Sequence, residues 1–262
     1  MGRKIVVTSG KGGVGKTTIV AGLARALASL NAAVCVVDAD IGLNNLDLIM
    51  DIENKVVYDI VDCMQGKCRI KQAIIKDVVL DCLYTLPSGK NYPHNAIISF
   101  DSIVQKLASI FDFVIVDSPA GLDDGFKRAV KSCCEAIVVV TPHISSVRDA
   151  SKTLTILSSA ENILTKQIVV NRIRGDMVAG GEMMSHSDIS SLLNCQCLGV
   201  VPESDEYNIS SSFNFINNKQ ELMNKGLLTL AKNLLDGTNN QIDYTSKYTG
   251  LIGYVRRKLK RL

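Results

Sequence analysis

The chain has 262 residues, 47% of them hydrophobic, with no tryptophan and a net charge of only +3, which suits one large α/β core. No run approaches the roughly 18–20 uninterrupted apolar residues of a bilayer span, and Met1-Gly2-Arg3-Lys4 leads straight into a strand-like run without a signal-peptide pattern, so transmembrane and secreted classes are not expected. The eight cysteines form no C-x-x-C pair and have no histidine at zinc spacing, so reduced, mostly buried thiols and a cytoplasmic address are the expectation.

Valine- and isoleucine-rich runs recur at 4–8, 33–38, 81–86, 113–117, 136–141, 167–171 and 198–201, each followed by a longer segment of helical period. Continuous apolar strands alternating with helices predict a doubly wound, mostly parallel sheet with helices on both faces, an α/β fold whose ligands gather at the carboxyl ends of the strands. Asp38, Asp117 and Asn171 close three of these runs and are candidates for that role.

Between the first strand and a helix predicted to begin near Thr17, the segment from Gly10 to Thr17 reads G-K-G-G-V-G-K-T and matches the phosphate-loop pattern G-x-x-x-x-G-K-[ST]. Gly12, Gly13, Val14 and Gly15 offer backbone N–H groups to phosphates, and the helix N-terminus, with Thr18 in its first turn, adds partial positive charge. Lys16 reaches the β and γ phosphates of ATP, and Thr17 gives its hydroxyl to Mg²⁺. Asp38 and Asp40 follow the second strand, and carboxylates placed there serve a metal-bound water (Asp38) and the attacking water (Asp40). Phe113-Val114-Ile115-Val116-Asp117 is an apolar strand closing on an acid, the arrangement that holds Mg²⁺ through water, and Ser118-Pro119-Ala120-Gly121 supplies a turn able to move with the γ phosphate.

After a helical segment ending near residue 235, residues 236–247 are polar and read as a linker. Domain organisation is therefore expected as an ATPase domain at 1–235, a linker at 236–247 and a terminal helix at 248–262. Six of the last sixteen residues are basic and none is acidic, so the first 246 residues carry −3 of the total +3. On a helical wheel Tyr248, Leu251, Ile252, Val255, Leu259 and Leu262 fall within roughly a 100° arc, with Arg256, Arg257, Lys258, Lys260 and Arg261 outside it. That pattern predicts an interfacial helix on anionic membrane lipid. A solvated basic tail or a helix packed on the body are the competing readings.

The lysine at position 11, in K-G-G-V-G-K-T-T, resembles the deviant Walker A loop of the ParA/MinD family of dimerising ATPases. Further pieces of the resemblance are D-A-D-I-G-L-N-N-L-D from Asp38 to Asp47, Val57-Tyr58-Asp59, Asp117-Ser118-Pro119-Ala120-Gly121, Ser146-Val147-Arg148-Asp149 and Arg174-Gly175-Asp176-Met177. Within that family it is the septum-site ATPases that this set resembles. The resemblance implies that Lys11 reaches the phosphates of a partner subunit, making ATP part of a homodimer interface, with Lys11, Lys16 and Asp40 as the catalytic set. It implies adenine contacts at Asn171, Arg172 and the stretch Pro202, Glu203 and Ser204, for which ordinary loop residues are the alternative reading. It also implies a MinC-type division inhibitor as partner, a MinE-type activator in many species, and peripheral attachment to the inner face of the cell membrane. Asn44 and His143 depart from the usual pattern, where arginine and glutamate are common. A DNA-segregation ATPase of the same superfamily is a rival, but it needs a basic folded surface, whereas this body is acidic and no sequence-specific nucleic acid is expected. A flagellar-number regulator is the other rival, and the strand starting at Arg3 or Lys4 leaves no place for its N-terminal extension.

Overall fold

The computed structural model describes residues 1–42, 45–93, 95–204, 221–250 and 253–254. Eight strands form one sheet: β1 (Arg3–Thr8), β2 (Val34–Asp38), β3 (Ile75–Lys76), β4 (Leu83–Leu86), β5 (Phe113–Asp117), β6 (Glu135–Val140), β7 (Thr165–Ile173) and β8 (Cys197–Pro202). Their order is β3-β4-β2-β5-β1-β6-β7-β8, parallel throughout except for the two-residue edge strand β3, which no apolar run announces. The helices are α1 (Lys16–Ser29), α2 (Asn45–Met50), α3 (Ile60–Met64), α4 (Ile70–Ala73), α5 (Phe100–Leu107), α6 (Asp124–Lys131), α7 (Ile144–Ser159), α8 (Gly175–Ala179), α9 (His186–Leu193) and α10 (Leu222–Asp236).

Alternation along the strands divides the core in two. Ile5 and Val7 of β1, Val34 and Val36 of β2 and Ile137 and Val139 of β6 face α1, α2 and α10. Val6, Cys35, Val37, Val114, Val116, Val138 and Val140 face α3, α5, α6, α7 and α9. Strands buried on both faces need apolar side chains at every position, which is why they read as unbroken runs rather than as an alternating pattern.

Two expectations change. Asn171 does not end its strand: β7 continues to Ile173 across an irregularity in its pairing with β8, where Arg172 takes a left-handed conformation with φ +58°. The bulge re-aims the side chains of the strand at the point where they leave the sheet. The segment read as a linker is instead fastened to the body as a strap. Asn233 Nδ2 of α10 donates to the carbonyls of Leu198 and Asn240, and Gln241 Nε2 donates to the carbonyl of Cys197. Tyr244 is buried, and its hydroxyl lies 2.7 Å from His186 Nδ1. Polar residues that lack apolar periodicity still satisfy a buried edge when their amides replace water.

The strap crosses α8 so closely that a Cβ on Gly175 would stand 1.6 Å from the carbonyl oxygen of Tyr244. Gly175→Ala should therefore displace the strap and destabilise the fold by about 1–3 kcal/mol, read as a lower urea midpoint and faster proteolysis around residues 238–248. Tyr244→Phe, which keeps the ring and loses the hydroxyl, should cost only about 1 kcal/mol. Equal midpoints for Gly175→Ala and wild type would show that the strap contributes nothing to stability.

Candidate functional site

The order β2-β5-β1 sets three chain ends side by side at the carboxyl edge of the sheet. Asp38 and Asp117 pair directly across β2 and β5, and Asp117 pairs with Val7, one residue before β1 ends. The loop after β1 therefore opens beside both carboxylates. It runs from Ser9 to Gly15 and passes straight into α1, with Gly13 and Gly15 at φ +80° and +87°. Gly15 is constrained twice, by its left-handed backbone and by Asn171, whose Nδ2 would lie 2.4 Å from an added Cβ. That same Nδ2 donates to the carbonyl of Val14 at 2.8 Å, tying β7 to the loop. Around Gly12 and Gly13 nothing would meet a Cβ within 4 Å, leaving the loop open to a polyanion.

Lys16 is 7% exposed and its Nζ lies 2.5 Å from Asp117 Oδ1. Burial pushes the Asp117 carboxyl up, and the Lys16 ammonium and the Thr17 hydroxyl oppose the shift. Asp38 Oδ1 accepts the backbone N–H of Asp40 at 2.9 Å, whereas Asp38 Oδ2 is buried without a hydrogen-bond partner among the described residues. Asp40 is half-buried, and its carboxyl is raised by burial, lowered by Lys16 and raised again by Asp123. The donors converging here, Thr17, Asp38 and Asp117, are all oxygen, as a hard cation such as Mg²⁺ prefers. Among the described residues no three His, Cys, Asp or Glu side chains form a self-sufficient metal cage. Mg²⁺ does not need one, because it keeps several waters and uses one or two carboxylates plus phosphate oxygens. The orphaned Asp38 oxygen is an acceptor that such a cation, or its water, would satisfy.

Lys11 stands exposed on the loop, its carbonyl accepting from Ser9 Oγ at 3.0 Å. A cleft opens beside Gly15, lined by Thr18, Asn171, Arg172, Pro202 and Glu203, together with Ser204 and Met223. The structure thus brings the five expected base-pocket residues together and adds one, Met223, that sequence reasoning missed. Met223 belongs to α10, twenty residues beyond Glu203, and no local pattern points to it. Ser88 was also missed: its hydroxyl donates to the carbonyl of Asp40 at 3.5 Å and favours the ionised form of Asp38. Its place two residues past the end of β4 is a signal that a search of strand ends would have caught. Asp40 also faces a second cleft bounded by Tyr92, Pro119, Asp123 and Arg128, where the Arg128 guanidinium lies 4.0 Å from the centre of the Tyr92 ring. His143 is exposed at the start of α7, while Asn44 and the tail residues Leu251, Ile252, Val255, Leu259 and Leu262 lie outside the described residues.

Asp38 gives the site a pH signature. Its pKa is pushed up to about 8 from 3.8, by burial first and by Asp117 second. An acid with the higher pKa in the folded state holds its proton more tightly there, so its contribution is complete below about pH 4 and is lost as pH rises through about 8. Without nucleotide and Mg²⁺, stability should fall over that range by at most about 1.4 kcal/mol per pH unit. Asp38→Asn should flatten the slope in thermal melts across the same pH series. A wild-type melting temperature that rises from pH 5 to pH 8, in step with the variant, would contradict the assignment.

Comparison with known proteins agrees with this geometry. Residues 5–214 match the family described as the CobQ/CobB/MinD/ParA nucleotide binding domain. The septum site-determining protein MinD of Bacillus subtilis is 46% identical over 209 residues, covering 79% of this chain and 78% of that one. Among solved structures, the chain is similar to the MinC:MinD cell division protein complex of Aquifex aeolicus, with a TM-score of 0.84, 34% identity and coverage of 93% of this chain and 100% of the other. It is also similar to MinD of Pyrococcus horikoshii complexed with Mg-ADP, with a TM-score of 0.78, 26% identity and coverage of 92% and 100%. A family match across most of the length, and a relative that shares nearly half its residues over four-fifths of the chain, place this protein in the MinD/ParA nucleotide-binding family, among its septum site-determining members.

Proposed function

We propose that this chain is a Mg²⁺-dependent ATPase that dimerises on ATP and, in that state, positions the division septum by holding a MinC-type inhibitor on the membrane. The observation that carries the reading is the convergence of Lys16, Asp38 and Asp117 on one side of an open phosphate loop, in a chain whose relatives include a MinD seen with MinC and another seen with Mg-ADP. Lys16 and Asp117 already lie within 2.5 Å, so a phosphate that reaches the ammonium and a cation that reaches the carboxylate meet at one point. Thr17, Asp38 and Asp117 would hold Mg²⁺, whose charge offsets that of the β and γ phosphates. Asp40, half-buried with its carboxyl raised, orients the attacking water and takes its proton. Asn171, Arg172, Pro202 and Glu203 enclose the adenine, and Lys11, exposed at the mouth of the loop, is free to reach the phosphates of a second copy.

In this reading Lys16→Ala loses nucleotide binding or hydrolysis, whereas Asp40→Ala keeps ATP and accumulates as a dimer. Lys11→Ala stays monomeric with ATP in light scattering. Wild-type hydrolysis by Asp40→Ala, or ATP-dependent dimers of Lys11→Ala, would remove those two roles separately.

The tail supplies the membrane contact. A single amphipathic segment of fifteen residues binds weakly, because ordering costs roughly 1–2 kcal/mol per residue. Two tails on one dimer gain about 10²–10⁴ in avidity without a new contact. Hydrolysis separates the pair and releases both. Because Tyr244 is part of the folded body, the informative truncation ends at Thr249. Co-sedimentation with anionic liposomes should favour ATP over ADP for wild type and fail for Leu259→Glu and for the truncated chain. Equal binding in both nucleotides would remove the switch, and undiminished binding by the truncated chain would remove the tail.

A further inference from the structure

Outside the nucleotide site, two of the eight free cysteines meet. Cys63 Sγ in α3 and Cys68 Sγ, in the loop that follows, lie 3.5 Å apart, the one thiol–thiol contact among the described residues. We propose that Cys63 and Cys68 form a dithiol site that closes to an intrachain disulfide by exchange with a small-molecule disulfide of the glutathione class.

The backbone brings the two thiols together. Gln65 and Lys67 N–H donate to the carbonyls of Val61 and Asp62, Gly66 N–H donates to that of Cys63, and Gly66 turns the chain at φ +71°. Residue 68 is thereby returned over residue 63. A disulfide needs the sulfurs about 2.05 Å apart, so closure moves them by about 1.5 Å. The loop can supply that movement, since Gly66 and Lys67 are exposed and Cys68 is only partly buried.

Access assigns the order of events. Cys63 is 1% exposed, while Cys68 is reachable from solvent. The Cys68 thiolate attacks the small disulfide, forming a mixed disulfide and releasing one small thiolate. Cys63 then gives up its proton to solvent and attacks the Cys68 sulfur, releasing the second. Two protein thiols are oxidised, one external disulfide is reduced to two thiols, and nothing else is consumed. Burial, with Asp59 and Asp62 nearby, holds both thiols above their ordinary range, Cys63 up to about 12. Low thiolate population makes exchange slow at neutral pH, so the site answers sustained oxidation and not a brief pulse.

The sequence makes the test direct, because trypsin cuts after Lys55, Lys67 and Arg69 and so separates the two cysteines. Full-length protein is incubated with oxidised glutathione, alkylated in denaturant without reduction, and digested. The expected product is the peptide Val56–Lys67 disulfide-linked to Cys68-Arg69, two hydrogens lighter than the free pair, with the other six cysteines alkylated. Cys63→Ser should instead accumulate glutathione on Cys68, and Cys68→Ser should leave Cys63 unmodified. Recovery of both peptides separately alkylated, or of stable glutathione on Cys68 in the wild type, would overturn the proposal. The readout is a covalent bond, so it stands apart from whether the protein hydrolyses ATP or binds membrane.

Discussion

The ion pair between Lys16 and Asp117 joins the phosphate loop and the sheet at a single buried point. It exists because β1 lies between β5 and β6, and because the register of β1 with β5 brings the end of one strand level with the end of the other. Each partner makes the other's burial tolerable. Removing one member of such a pair generally costs about 3–5 kcal/mol, since the remaining charge is left without compensation. Asp38 receives no equivalent partner, which is why burial drives it so far toward its neutral form. The same few ångströms therefore hold one carboxylate that is neutralised by the protein and another that is ready to be neutralised from outside.

A second line of contacts starts at Asn171. Its amide fixes the carbonyl of Val14, and the next residue, Arg172, is twisted into a left-handed bulge that lines the cleft beside Gly15. Two residues further on, the Arg174–Asp176 ion pair at 2.7 Å opens α8, on which the strap lies. The cleft and the C-terminal strap thus share one short stretch of backbone, residues 171–176.

The strands were legible because burial on both faces forces unbroken apolar runs, and the carboxylates were legible because Asp38 and Asp117 interrupt those runs abruptly. The glycine-rich loop declared itself through residue type and spacing alone. What the sequence concealed depends on contacts between distant segments. Met223 reaches the cleft from α10, and Ser88 reaches Asp40 from the far side of β2. Residues 236–247 look like a linker because their partners are backbone carbonyls and a tyrosine pocket, which leave no periodic trace in composition. Asn171 was expected at a strand end because β-bulges carry no signature when the bulged residue is an arginine and not a glycine. The pairing of Cys63 with Cys68 was hidden for a similar reason, since a separation of five residues matches no metal or redox motif.

The strap alters the length of the leash on the C-terminal segment. A free spacer of a dozen residues could extend by about 40 Å, at roughly 3.3–3.6 Å per residue. With Tyr244 buried and Tyr248 lying against Gly175, the chain is anchored at the first residue of the apolar series itself, and only two residues separate Tyr248 from the next member, Leu251. The remaining reach is about 10 Å. A surface engaged by that segment would be drawn against the body beside α8, at a nearly fixed standoff and with one face of the molecule turned toward it.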